Sequence, residues 1–266
     1  MSSITTDKGL LHYEVFGKGK PVIFLHGWLG SWGLWQQTME FLGKTNRTYA
    51  LDFWGFGESE DKLSTYNVND FVELVEQFMN HLGIQQAPLV GHSMGGTVSL
   101  MAAKKFEDRI SKVVVIGSPI KGSSLSPALK FAGNKFVAER LFQFFGLFRR
   151  VLKKVSPLIC NHPDFPEIID NDLSKTNLES FLNSIRSLKQ IDLSQDLKTL
   201  KIPVLGLYGN RDNIVSPRQN LLLQQVIPQS KIKMFPKSGH FIMLEEPELC
   251  MQQIKKFINE EIYILE

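Results

Sequence analysis

The stretch LVGHSMGG (89–96) places one serine between glycines at the end of an apolar run. The segment GHSMG (91–95) matches the pattern G-x-S-x-G of a nucleophile elbow, in which a strand turns sharply into a helix. The residues two positions before and after the serine must be small, because their backbones approach closely in such a turn. The spacing predicts Ser93 as a nucleophile for acyl transfer; the alternative is a glycine-rich turn with an incidental serine.

A serine hydroxyl becomes a useful nucleophile only when a base takes its proton, so a histidine is required. The chain has six histidines, and His92 adjoins the serine too closely to fold back onto its hydroxyl. His240 in SGHF follows the last apolar run, in a loop expected at the carboxyl end of the sheet. We therefore expect His240 to be the base.

The imidazole in turn needs a carboxylate that holds its tautomer and stabilises its charged form. Asp212 in LYGNRDN and Asp52 in LDFWGFGES each follow an apolar run. Triads built on a nucleophile elbow occur in the chain order serine, acid, histidine, and Asp52 precedes the serine. This order favours Asp212 as the third member and predicts that Asp52 stabilises a turn.

Acyl transfer also needs backbone donors where negative charge develops on the carbonyl oxygen. The N–H of Met94 follows the nucleophile directly, and the N–H of Trp28 lies in the loop after the run VIFLHG. These two amides are the expected oxyanion hole, with His26 bracing the loop through its side chain. The alternative is that His26 and Gly27 simply end a strand.

Strands that alternate with helices must position these residues. Seven short apolar runs bounded by turn signals predict strands at 9–19, 21–27, 47–53, 87–93, 111–119, 202–210 and 230–236. Helical patterns occupy 69–83, where Asn69 is the expected cap and Gly83 the end, the segment after Ser93, and 245–262 with Pro247 early. The alternation indicates an α/β fold whose mostly parallel central sheet has helices on both faces.

Residues 120–190 interrupt this alternation with helical patterns and no convincing strand. We expect them to form a helical cap over a core made of residues 1–119 and 191–266. The run ERLFQFFGLFRRVLKKV (139–155) combines an apolar face with a basic one. The substrate pocket candidates are Trp28, Leu141, Phe144, Phe145 and Phe148.

The basic side chains of that run permit two interpretations. Arg140, Arg149, Arg150, Lys153 and Lys154 fall mainly between the apolar positions. Such a helix either rests on anionic lipid or packs its apolar face over the site with solvated cations outside. Both interpretations favour an apolar substrate, because both place phenylalanine and leucine side chains near the entrance.

Composition excludes several other classes of protein. Hydrophobic residues make up 43% of the chain, charged residues 21%, and the net charge is +3 without a long Lys/Arg run, so nucleic-acid binding is not expected. Two cysteines without a CxxC pair indicate neither a metal site nor a disulfide framework. The start MSSITTDKGLLHYEV lacks a secretory pattern, so we expect a cytoplasmic protein, at most peripheral to a membrane. Nothing in the sequence indicates an oligomeric state.

The motifs HGWLGSWGLW, LDFWGFGES, GHSMGG, YGNRD and SGHF stand in the order typical of the α/β-hydrolase superfamily, which the chain resembles over nearly its whole length. It is most similar to capped esterases, haloperoxidases and C–C bond hydrolases, although residues 120–190 match the cap by position only. The resemblance implies an eight-stranded sheet with an antiparallel second strand, a helical cap, and neither cofactor nor metal. Ser93 stands where haloalkane dehalogenases and epoxide hydrolases carry aspartate, and HGWLG departs from the HGGPG of prolyl aminopeptidases.

These residues predict a serine hydrolase that cleaves a carboxylic ester with an apolar acyl or alcohol part through an acyl-enzyme intermediate. The same triad can act on a C–C bond, a lactone or a thioester, which leaves those hydrolases as alternatives. A non-catalytic ligand receptor that has kept the pocket is a further alternative.

Overall fold

In the computed structural model, which describes residues 2–61 and 63–260, the strands and helices alternate as the apolar runs predict. The strands are β1 Ser2–Thr5, β2 Gly9–Phe16, β3 Lys20–Leu25, β4 Asn46–Leu51, β5 Glu60–Asp61, β6 Ala87–His92, β7 Ile110–Ile116, β8 Val204–Gly209 and β9 Lys231–Phe235. The helices are α1 Gln36–Leu42, α2 Val68–His81, α3 Met94–Lys105, α4 Pro127–Ala132, α5 Lys135–Gln143, α6 Phe145–Val155, α7 Phe165–Ser174, α8 Leu178–Gln190, α9 Gln219–Val226, α10 Ile242–Glu245 and α11 Pro247–Asn259.

One sheet contains all of these strands, in the order β1-β2-β4-β3-β6-β7-β8-β9, with the two-residue β5 paired to β2. Strand β2 is antiparallel to β1, β4 and β5, and the other pairs are parallel. The mostly parallel sheet and its antiparallel second strand are thereby confirmed. Strands β1 and β5 were not predicted, because each is short and polar and pairs only with β2.

Helices cover both faces of the sheet, as expected. Along β3, Val22 and Phe24 belong to one buried cluster while Ile23 and Leu25 belong to the other, since successive side chains of a strand point to opposite faces. Helices α2, α3 and α9 bury their apolar side chains in the cluster of Ile23, and α1 and α11 bury theirs in the cluster of Val22.

The start of α2 differs from the prediction by two residues. The cap is Asn67, whose extended backbone lets its side-chain oxygen accept the N–H of Asp70, whereas Asn69 lies inside the first turn. Gly83 follows the helix with φ of 64° and ends it as expected. At the other end of the chain, α10 precedes α11 as a separate helix, and the last two residues of the predicted 245–262 helix lie outside the described residues.

Residues 120–190 contain helices α4 to α8 and no strand. The two ends of this segment meet at the core, because the N–H of Gly122 donates to the carbonyl of Ile191 (2.8 Å) and the N–H of Leu193 donates to that of Ile120 (3.0 Å). The chain thus leaves and re-enters the core at one place. Within the described ranges, no helix is both long and apolar enough to cross a bilayer.

Candidate active site

Ser93 lies between β6 and α3 in a strained backbone conformation, with φ of 52° and ψ of −118°. A Cβ on Gly91 would lie 2.3 Å from the carbonyl oxygen of Gly95, and one on Gly95 would lie 2.2 Å from that of Leu25 in β3. Both distances are far below van der Waals contact. The two glycines therefore allow a turn that no larger residue permits, as the motif predicts.

His240 and Asp212 form a buried pair, with His240 Nδ1 and Asp212 Oδ2 at 2.7 Å. The other oxygen of Asp212 accepts the N–H groups of Ile214 and Val215, both at 2.8 Å, so the carboxylate is held in place by its own loop. A carboxylate accepts hydrogen bonds, which assigns the imidazole hydrogen to Nδ1 and leaves Nε2 as a free base. The pair therefore presents an unprotonated ring nitrogen, which a general base needs.

The end of β7 connects this pair with the elbow. The N–H of Ser93 donates to the carbonyl of Ile116 at 2.8 Å, and Gly117 comes next with φ of 56°. A Cβ on Gly117 would lie 3.1 Å from His240 Nδ1 and 3.3 Å from Asp212 Oδ2. The structure thus brings the three residues predicted as a triad to one edge of the sheet, at the carboxyl ends of β6, β8 and β9.

His92 has a role that the sequence reasoning missed. Its Nε2 donates to the backbone carbonyl of His240 at 3.0 Å, which ties the loop of the predicted base to the elbow. Burial, reinforced by the nearby His240, lowers the pKa of His92 well below its usual value, so its ring stays neutral. The alternation of side chains along β6 could have indicated that His92 points away from the serine and toward a neighbouring loop.

The two predicted oxyanion donors lie next to the serine. Met94 is the first residue of α3, so its N–H has no acceptor within the helix. The loop of Trp28 passes close to the elbow, because a Cβ on Gly27 would lie only 3.1 Å from the Cβ of Ser93. Among the described residues, none accepts the N–H of Trp28. Both amides are therefore available to an oxygen bound beside Ser93.

His26 and Asp52 hold the loop that carries Trp28. His26 Nε2 accepts the N–H of Phe53 at 2.9 Å, which leaves Nδ1 to donate to the carbonyl of Gly27 at 2.7 Å. Asp52 accepts the N–H of Trp32 at 2.6 Å, and its other oxygen lies 2.8 Å from the ring of His12. Bracing by His26 and turn stabilisation by Asp52 are confirmed, and Asp52 is fully committed to these contacts.

Most of the pocket candidates belong to an aromatic cluster between core and cap. The indole N–H of Trp28 donates to the carbonyl of Phe181 in α8 at 3.0 Å, and the ring of Phe181 meets those of Phe142 and Phe148 edge-on. Phe145 stacks on Phe142, and Leu141 is partly buried against the same cluster. The sequence reasoning missed Phe142 and Phe181, of which Phe181 begins the buried stripe of α8.

Phe144 departs from its prediction as a pocket residue. It lies between α5 and α6 with 53% of its side-chain surface exposed, against the guanidinium of Arg140. The helical pattern of the run continues without interruption through this position, so the break between the two helices was not visible in the sequence.

Helix α7 was also missed as part of the site. A cavity of about 20 Å³ lies between the Trp28 loop and this helix, and its lining includes Phe165, Ile168, Ile169 and Asp172. These four positions have the spacing i, i+3, i+4, i+7 of one helix face, which was readable in the sequence. Asp172 is buried, accepts a hydrogen bond from Ser31 Oγ at 2.8 Å, and has its pKa raised to about 7 by burial.

Comparison with known proteins agrees with the fold. The family model for the alpha/beta hydrolase fold matches residues 20–158 and 170–247. A pimeloyl-[acyl-carrier protein] methyl ester esterase of Vibrio vulnificus is 28% identical over 258 residues, which cover 94% of this chain and 98% of that protein.

Two solved structures are similar over nearly the full length. A thermophilic esterase from Thermogutta terrifontis is 27% identical, with a TM-score of 0.82 over 96% of this chain and 97% of that one. An enol-lactonase from Burkholderia xenovorans is 19% identical, with a TM-score of 0.81 over 97% of this chain and 100% of that one, and shows the same fold. With its sheet order, its strand-to-helix elbow and a family match over most of its length, the chain belongs to the α/β-hydrolase fold family.

Proposed function

We propose that the protein is a serine hydrolase that cleaves carboxylic esters with an apolar acyl or alcohol part. The observation that carries this proposal is the 2.7 Å pair of His240 and Asp212 beside the strained elbow of Ser93. The similarity of this chain to proteins named as esterases supports ester hydrolysis over the other reactions of the same triad.

In the first half of the reaction, the hydroxyl of Ser93 attacks the ester carbonyl carbon while Nε2 of His240 takes its proton. The charge that develops on the carbonyl oxygen is stabilised by the N–H groups of Trp28 and Met94. Asp212 stabilises the imidazolium by accepting from Nδ1. The tetrahedral intermediate then expels the alcohol, which receives the proton from His240, and an acyl ester on Ser93 remains.

In the second half, water replaces the alcohol. Nε2 of His240 takes a proton from water, the resulting hydroxide adds to the acyl carbon, and the same two amides hold the oxygen. Collapse of this intermediate returns the proton to Ser93 and releases the carboxylic acid. Each proton taken by His240 is given back within its half-reaction, so the reaction consumes only ester and water.

The preference for an apolar substrate rests on the side chains between core and cap. Trp28, Phe145, Phe148 and Phe181 form an aromatic cluster above the loop that carries the predicted oxyanion donor. Apolar surface removed from water contributes roughly 25 cal/mol per Å², so a hydrocarbon chain placed against these rings gains binding energy that a polar chain does not.

The test combines a probe of the nucleophile with a panel of substrates. A fluorophosphonate should label the wild-type protein and fail to label Ser93→Ala, while Ser99→Ala serves as a matched control. Ser99 is a buried serine of α3, the helix that follows Ser93, and its hydroxyl donates to the carbonyl of Gly95. Labelling of Ser93→Ala would contradict the site, and an unlabelled wild type would contradict the reaction class.

The substrate panel contains p-nitrophenyl esters of increasing chain length, a lactone, an acyl thioester and a vinylogous diketone. We expect kcat/KM to rise with acyl chain length among the esters and to be lower for the other three classes. A larger kcat/KM for the lactone, the thioester or the diketone would assign the triad to that bond instead. Hydrolysis that survives in Ser93→Ala would exclude the mechanism given above.

A further inference from the structure

The large apolar side chains that are exposed in the described part of the chain gather on the cap. Phe136 and Leu158 are 81% and 79% exposed, and Phe131 and Leu147 are 65% and 60% exposed. Outside this stretch the comparable exposed side chains are Leu10, Leu63 and Leu221, which are far apart in sequence. Several exposed apolar side chains gathered in one part of a folded domain indicate a place of contact.

Helix α6 shows how this surface arises, because only part of its apolar face is covered. Phe145, Phe148 and Leu152 are partly buried and pack against the main hydrophobic cluster. Next to them on the same face, Leu147, Val151 and Val155 follow one another at helical spacing and are exposed. Packing against the cluster accounts for the first three residues, and the described part of the chain leaves the other three uncovered.

The cations of α6 fall into two groups, those that form ion pairs within the cap and those that do not. Arg149 and Lys153 pair with Asp170 and Glu167 of α7, at 2.9 Å and 2.7 Å. Arg150 and Lys154 lie on the side of the helix next to Leu147, and no carboxylate among the described residues pairs with either. Of the five basic side chains that the sequence offered for lipid contact, these two are available, Arg149 and Lys153 hold cap helices together, and Arg140 donates to Gln143 and lies against Phe144.

A second part of the cap repeats this chemistry. An open groove of about 710 Å³ lies between α4, α5 and the end of α8, and Phe131 and Phe136 are among its walls. Four cations and no carboxylate line it: Lys130, Lys135, Arg186 and Lys189. From Lys121 to Lys154 the chain carries eight lysines and arginines and one acid, Glu139, whereas the whole chain has a net charge of +3. The first half of the cap is therefore more basic than the rest of the chain.

We propose that this outer cap surface, made of the exposed side chains of α4 to α6 and the groove beside them, docks on an anionic phospholipid bilayer. Arg150, Lys154 and the groove cations contact phosphate groups, while Leu147, Val151 and the exposed phenylalanines enter the boundary between headgroups and acyl chains. These exposed apolar side chains protrude from three separate helices. A fluid bilayer takes up such protrusions, whereas a folded protein partner needs matching hollows.

Vesicle sedimentation tests the proposal without reference to catalysis. We expect the full-length protein to sediment with vesicles of phosphatidylcholine and phosphatidylglycerol, and to remain in solution with phosphatidylcholine alone. For the double variant Arg150→Glu/Lys154→Glu, we expect the partition coefficient to fall by at least about tenfold, because each cation near an anionic surface contributes to binding. Leu147→Ser/Val151→Ser should weaken binding about fivefold or more, because less apolar surface is buried.

The matched control is Lys18→Glu/Lys233→Glu, which makes the same change in net charge at two exposed positions of the core. It should bind like the wild type, and circular dichroism should show all variants folded. Absence of wild-type binding to the mixed vesicles overturns the proposal, as does full binding by either cap variant. Capture on an immobilised acyl carrier protein without any vesicle binding would assign the surface to an acidic protein and equally overturn it.

Discussion

The hydrogen bond between His240 and Asp212 requires an acceptor at the position of Asp212 Oδ2. In Asp212→Asn the amide oxygen can still accept from Ile214 and Val215, but the amide nitrogen would then face His240 Nδ1. A donor in that place favours the wrong imidazole tautomer. We expect kcat to fall by about 10⁴-fold with the fold retained, measured with the best ester of the panel at neutral pH.

Asp52→Asn is the matched comparison, because Asp52 is the other acid that follows a strand of the sheet. Its carboxylate accepts from the backbone of Trp32 and Glu58 and meets the ring of His12. We expect a lower free energy of unfolding, by about 1–3 kcal/mol, and a smaller loss of kcat than in Asp212→Asn. An Asp52→Asn variant that is stable but inactive would reverse the assignment of the acid.

Residue types and chain order were enough to predict that His240 pairs with Asp212 and that Ser93 lies in a turn between a strand and a helix. They were not enough for His92 and Asp172, whose roles depend on what lies across from them. His92 reaches a backbone carbonyl 148 residues away, and Asp172 reaches Ser31 at a separation of 141 residues. No local pattern at His92 or Asp172 indicates which group lies across from it, so contacts of this kind become visible only when the elements are assembled.

At the scale of elements, Gly95 of the elbow has no room for a side chain, whereas Gly146 of the cap has open space around it. A Cβ on Gly95 would meet the backbone of β3 at 2.2 Å, whereas one on Gly146 in α6 would meet nothing within 4 Å. We expect Gly95→Ala to lower the free energy of unfolding by about 1–3 kcal/mol and to abolish hydrolysis. Gly146→Ala should raise it by up to about 1 kcal/mol, as measured by urea denaturation. Equal stability of the two variants would contradict this account of the elbow.

The strands and helices around the site were largely predictable, because apolar runs of a buried parallel sheet differ clearly from amphipathic helices. The errors occurred where a local signal was ambiguous or absent. Two asparagines, Asn67 and Asn69, offered alternative caps for α2. The break at Phe144 carries no glycine or proline. Which part of the apolar face of α6 is covered could not be known, because the covered and the exposed residues belong to one continuous face.

At the scale of the whole molecule, Asp172 sits where cap and core meet. Burial raises its pKa to about 7, so the folded protein favours the neutral carboxyl more than the unfolded chain does. This contribution to stability is complete below the unfolded pKa of roughly 4 and is lost as the pH rises through about 7. Relative to Asp172→Asn, the wild type should lose about 1.4 kcal/mol for each pH unit between these two values.

The measurement is the free energy of unfolding of both proteins between pH 4 and pH 8, by urea denaturation. Asparagine mimics the neutral carboxyl and can still accept from Ser31 Oγ, so the variant should be the more stable protein at pH 8. Asp164→Asn, at an exposed position before the same helix, controls for the removal of one negative charge from the cap. A constant difference between wild type and Asp172→Asn across this range would exclude the titration.

The meeting of both ends of the cap at the core has a consequence for how such proteins diversify. Ser93, Asp212 and His240 all follow core strands, and a pair of hydrogen bonds at Ile120, Gly122, Ile191 and Leu193 joins the two ends of the insertion at the core. We therefore expect relatives to differ in this segment at that junction, provided that its contacts with Trp28 and Ser31 of the core are kept. The residues that break the ester bond would then come from the core, while residues 120–190 would determine which ester is bound and which surface the protein docks on.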